Sequence, residues 1–264
     1  MAAAEAVGHA RCLRTIDMTT GLGLEFQGRF AEAEPKFASM VQGAQLRGHR
    51  TDELNALPSR ALCLWELDRI EEADELRRQF AGLLTDDGAK YHKVWDCTLA
   101  ALVAQVRGDD ATIQLEARRA VEAVAGSRVW PDLTWVLQFA RLAELLLDVE
   151  ERGGPDAKPD PERRALIKKL FGFQAVQAQA FAVLRTHHLV NEGRMLALAG
   201  KGAKAADKLG QALELARQRA MVLDEGLALQ ALAALPGTAE GLRLERLDLN
   251  QAQIEARRAL APER

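Results

Sequence analysis

A turn-forming residue returns on a count of forty: Gly28, Asp68, Gly108 and Asp148 each end a segment with helical apolar periodicity. Smaller correspondences travel with it. Five residues after the first two turns stand Ala33 and Ala73. Seven before the four turns stand Gly21, Ala61, Ala101 and Arg141, three of them small. Four before stand Leu24, Leu64, Ala104 and Glu144. The same spacings reappear at Gly193, Leu196, Gly200, Ala205, Leu209 and Ala212. Self-similarity at such a period is the mark of a stacked repeat. The unit it implies is a helical hairpin. Gly or Asp makes the turn, small residues let two backbones approach, and larger apolar residues at i, i+3, i+4 and i+7 bury against the next pair.

Composition agrees. Aromatic residues make up 5% of the 264-residue chain, with a single Tyr, while Ala, Leu, Glu, Arg and Gln dominate. These are strong helix formers, so the expected fold class is all-α. The formal net charge of -3 leaves no clustered cationic footprint for nucleic acid. No stretch approaches the roughly 18 apolar residues of a membrane span, and the first residues, "MAAAEAVGHARCLRT", lack the apolar core of a secretion signal. Cys12, Cys63 and Cys97 are odd in number and widely spaced. They predict neither a disulfide framework nor a zinc site, and they read as buried thiols in a reducing cytoplasm.

Hairpins are predicted at about 8–27 with 30–47, 52–67 with 70–84 and 90–107 with 110–125. A long helix follows at 130–152, then helices at about 161–183, 186–199, 203–219 and 221–235. A last helix, which Thr238 can cap, runs to about 260. Pro58 predicts either a kink or a later helix start. The Gly- and Pro-rich "GGPDAKPDP" at 153–161 is the one clear loop. One continuous domain over 1–264 is expected, the alternative being subdomains 1–152 and 162–264.

The turn "QGRFAEA" with Gly21 and Phe37, "ELDRIEEA" with Phe80, and "NEGRMLALAGKGAKAADKLGQAL" resemble the tetratricopeptide repeat. The longer period is similar to the long-helix repeats of bacterial MalT-like and kinase- or ATPase-linked regulators. The resemblance implies an α-solenoid of about six antiparallel hairpins whose first helices line a concave groove. Mapped by that resemblance, Trp95, Trp135 and His187 take equivalent groove positions. Trp65, Glu25, Phe26, Gln105, Gln138 and Arg194 take others. Trp would offer a rigid, broad contact with a polar handle.

Catalytic signatures are missing: no GxxxxGK[ST], HExxH or GxSxG motif occurs. "GKGAKAADKLG" at 200–210 lacks the phosphate-loop spacing. "EEADE" at 71–75 is explained by the dipole at a helix start. "RRALIKKLFGF" at 163–173 reads as a solvated basic face. The expectation is a non-enzymatic module with no cofactor or metal, binding a protein or peptide segment. A ligand- or peptide-sensing domain is the alternative, and an enzyme built on Glu192, Arg194 and His187 the remote one. The terminal helix, with Leu242, Leu247, Ile254 and Leu260 on one side, would cap the solenoid or form a homodimer contact.

Overall fold

A computed structural model describes residues 10–85, 90–126, 137–153 and 159–235. Cys12's side chain, Trp135, Thr238, most of the 153–161 loop and the terminal helix lie outside what it describes. Every regular element among the described residues is a helix. They are α1 (Ala10–Phe26), α2 (Phe30–Arg47), α3 (Arg50–Glu66), α4 (Ile70–Leu83), α5 (Lys90–Arg107) and α6 (Asp110–Ala123). Then come α7 (Leu137–Arg152), α8 (Pro161–Ala180), α9 (Leu184–Leu198), α10 (Gly202–Gln218) and α11 (Val222–Ala234). None is long and apolar enough to cross a membrane.

The turns show why the chain breaks where it does. Gly28, Asp68 and Gly108 adopt φ of 75°, 60° and 69°. Each donates its N–H to the carbonyl three residues back, and the next residue donates to the carbonyl five back, as in Asp109 to Ala104 at 2.9 Å. Gly48, Gly200 and Ala220 repeat this arrangement. It satisfies the orphan carbonyls of a helix end and needs a left-handed residue, which favours glycine at four of these six turns. Asp148, the fourth expected turn residue, lies inside α7 instead. Nothing there demands φ above zero, and its carboxylate is held by side chains from two other helices. Pro58 also lies inside a helix, α3, so the later start is ruled out. Asp109 and Asp160 cap α6 and α8, Asp160 with Pro161 at the first turn, where neither a missing N–H nor a fixed φ costs anything.

The chain divides into two compact units, Met1–Gly88 and Ala89–Arg264. In the first, α1 packs on α2, α2 on α3 and α3 on α4, around Phe37, Leu57, Leu62 and Phe80. In the second, α5–α6, α7–α8 and α9–α10 pair as hairpins, and α11 packs on α10. Alternate helices also touch there: α5 with α7, α7 with α9, and α9 with α11. The loop at 153–161 joins α7 to α8, which pack together inside this unit. Two glycines set hairpin spacing. A Cβ on Gly21 would stand 2.8 Å from the Phe37 ring, and one on Gly193 would stand 2.5 Å from Leu209 Cγ.

Candidate functional site

On α7, Arg141, Glu144, Asp148 and Glu151 fall at steps of three, four and three, which places them along one stripe of the helix. On α9, His187 and Arg194 stand seven apart, again on one face. α11 supplies Asp224 from its first turn, where the helix dipole favours a negative charge. Because α7, α9 and α11 pack in sequence, these groups meet.

His187 is the inner end. Its Nδ1 lies 2.9 Å from Asp224 Oδ1, and its Nε2 lies 3.1 Å from Glu144 Oε2. The first is a hydrogen bond. The second is an ion contact whose direction falls outside good hydrogen-bond geometry. The ring is 3% exposed. Burial works against the imidazolium, but Asp224 and Glu144 together outweigh it and raise the pKa to about 9. For Glu144 burial likewise opposes charge, yet Arg141, 3.4 Å away, and His187 bring its pKa down to about 2.

Arg194 is the outer end. Its Nη2 donates to Asp148 Oδ1 at 2.6 Å, and its Nε and Nη2 fork onto both Glu151 oxygens at 2.9 and 2.8 Å. Such a bidentate pairing is the stronger kind of charged hydrogen bond. Gln105 of α5 donates to Asp148 Oδ2 at 2.8 Å. Burial, only partly offset by Arg194 and reinforced by Glu144, lifts the Asp148 pKa to about 6. Here the cluster reaches solvent: the Asp148 and Glu151 side chains are 28% and 42% exposed.

Three of the expected groove residues thus take part in these clusters, His187 in the inner one and Gln105 and Arg194 in the outer one. The others do not. Trp95 is 3% exposed and belongs to the core. Gln138 is fully buried, and neither its amide nitrogen nor its oxygen has a hydrogen-bond partner. Glu25 is buried within the first unit. Its charge, after burial itself, helps to raise the Cys63 thiol. Phe26 and Trp65 remain half-buried. The expectation that Trp95, Gln138, Glu25, His187 and Arg194 face an open groove is therefore corrected. In the second unit, alternate helices pack closely enough that side chains between them become interior. Arg141, Glu144, Asp148 and Asp224 were not foreseen as a site. The 3–4–3 spacing of charge on α7 was the available signal.

Two further features stand apart. Gln174 and Gln177 of α8 share the condition of Gln138: each is 1% exposed with no partner for either amide atom. The Phe139 and Phe173 rings, 4.9 Å apart, put Gln138 and Gln174 at the same level of the α7–α8 hairpin. In the first unit, a cleft of about 530 Å3 opens between α1 and α3. Comparison with protein-family models, curated proteins and solved structures finds no match for this chain.

Proposed function

We propose that the chain is a cytoplasmic, non-enzymatic helical-repeat protein, an α-solenoid of the tetratricopeptide kind. In this reading it holds a segment or helix of a partner protein as a scaffold, adaptor or regulatory subunit. One observation carries the reading: α5, α7, α9 and α11 are cross-linked by two clusters of ion pairs and hydrogen bonds, an inner one of Asp224, His187 and Glu144 and an outer one of Arg194, Asp148, Glu151 and Gln105 that reaches the surface. Helices tied in this way present their outer polar groups in fixed positions, which lowers the ordering cost of binding. His187 does not suit a turnover role, because both ring nitrogens are engaged by carboxylates and the ring is enclosed. Trp65 and Phe26, half-buried in the first unit, remain the aromatic candidates for anchoring a partner.

The test is capture from the native host's lysate with the full chain as bait, beside the folded double variant Asp148→Asn, Glu151→Gln and the variant Trp65→Ala. A protein held by the parent chain and lost by either folded variant supports the reading and names the partner. Retention of every captured protein by both variants sinks this surface as the interface. A second reading, a domain that senses a small ligand, is favoured by the cleft between α1 and α3.

A further inference from the structure

The two halves of α8 are held very differently. The first half, up to Phe171, is fixed to three neighbouring helices. Leu166, Ile167 and Leu170 are buried. Arg163 pairs with Glu150 of α7 at 3.0 Å, and its Nε donates to Gln114 of α6 at 3.2 Å. Arg164 donates to the other Glu150 oxygen at 3.3 Å. Phe171 stacks on His188 of α9, with ring centroids 4.4 Å apart. The second half lacks such ties. From Phe171 to Val183 no apolar side chain is buried, and the two side chains that are, Gln174 and Gln177, carry amides without a partner. The buried stripe of α8 thus opens with Leu166, Ile167 and Leu170 and closes with two amides. Val176 is exposed, and the half-buried Phe173 ring against Phe139, at 4.9 Å, is the aromatic contact of this half.

Gly172 marks the boundary between the halves. A Cβ there would meet nothing within 4 Å, so packing does not call for glycine, and a glycine inside a helix weakens it. Beyond the second half the chain is fixed again. Leu184 is buried, and the Ala182 carbonyl accepts a hydrogen bond from Arg219, just after α10. A segment with few buried apolar contacts opens at small cost, and opening gives its unpaired amides to water, which removes their burial penalty. Unwinding also lengthens the chain from about 1.5 Å to about 3.3 Å per residue. Residues 173–180 can therefore leave α7 without disturbing the anchor on either side.

We propose that residues 173–180 form a strap that lifts from α7, taking Phe173 off Phe139 and Gln174 and Gln177 into water, while the first half of α8 stays docked. The strap uses no residue of the charge clusters, so it stands apart from the partner-binding reading.

The test is native-state hydrogen exchange of the full chain, read by mass spectrometry with electron-transfer fragmentation to resolve single amides. Relative to their unfolded rates, the amides of 173–180 should exchange at least about 100-fold faster than those of 165–171. Gln174→Leu combined with Gln177→Leu should slow exchange at 173–180 by at least about tenfold, because apolar groups replace unpaired amides, and should leave 165–171 unchanged. Gly172→Ala, which adds a methyl group in open space, should slow it about fivefold. Unchanged exchange across α10 would show that the variants keep the fold. Equal protection of both halves in the parent chain would overturn the strap. Fast exchange confined to 177–180 would be ordinary end fraying and would overturn it too. Equal slowing of both halves in the double variant would mean that α8 opens as one body, against the proposal. Exchange at 173–180 unmoved by any of these substitutions would remove the amides and Gly172 as its cause and sink the device.

Discussion

His187 carries an ionised ring into the interior, and this makes stability depend on pH in a predictable direction. Its folded pKa of about 9 stands above the ordinary 6.5. The stabilisation it brings is therefore complete below about pH 6.5 and is lost as pH rises through 9, amounting to about 3 kcal/mol. Glu144, held at about 2 against an ordinary 4.5, contributes above 4.5 and loses its contribution as pH falls through 2. Asp148, raised to about 6 from 3.8, works against the folded state as pH climbs through that interval. Urea unfolding from pH 6.5 to 9.5 should show a falling midpoint for the parent chain. His187→Ala should unfold about 3–5 kcal/mol more easily at pH 6.5, because two buried carboxylates lose their cation, and its midpoint should change little over the same range. A parallel fall in the variant would remove His187 as the cause. The buried amides predict the opposite sign. Gln174→Leu removes two unpartnered polar atoms at constant bulk, so denaturant melts should show no loss, or a gain of about 1–2 kcal/mol. A loss of that size would mean that the amide is hydrogen-bonded in solution.

Among the elements, the hairpins were the most legible part of the sequence. Left-handed turns are nearly a residue-type requirement, so Gly28 and Gly108 announce themselves, and Asp68 is among the few substitutes tolerated. Asp148 shows where that logic fails. An aspartate is compatible with a turn and equally with a charged helix stripe, and only the side chains of Gln105 and Arg194, 43 and 46 residues away, decide between them. Trp95 was misplaced for a related reason. A position can be assigned to a helix face from periodicity, but whether that face meets solvent or another helix depends on how closely the helices pack. The glycines test the packing directly. Gly193→Ala would press a methyl group into Leu209 and the carbonyl of Ala205, and thermal unfolding should report a loss of about 1–3 kcal/mol. Ala220→Gly relieves a residue held at φ 53° and should raise stability by about 1 kcal/mol in the same assay.

For the whole molecule, the division into two compact units predicts that damage stays local. Hydrogen exchange read by mass spectrometry should show Gly21→Ala deprotecting α1 to α4 while α7 to α11 keep their protection, with Gly193→Ala doing the reverse. Uniform deprotection by either substitution would mean that the chain opens as one cooperative body.

The cross-link through His187 also sets an order of events during synthesis. Most helix pairings join neighbours along the chain and the rest skip a single helix, so each hairpin can form soon after it leaves the ribosome. The inner cluster cannot be completed so early, because Asp224 comes last. Glu144 precedes Asp224 by 80 residues, about 4–16 s of elongation at ordinary rates of translation. Over that interval His187 can meet Glu144 but lacks Asp224, so the ring stays open to water on its α11 side until that helix emerges to close it.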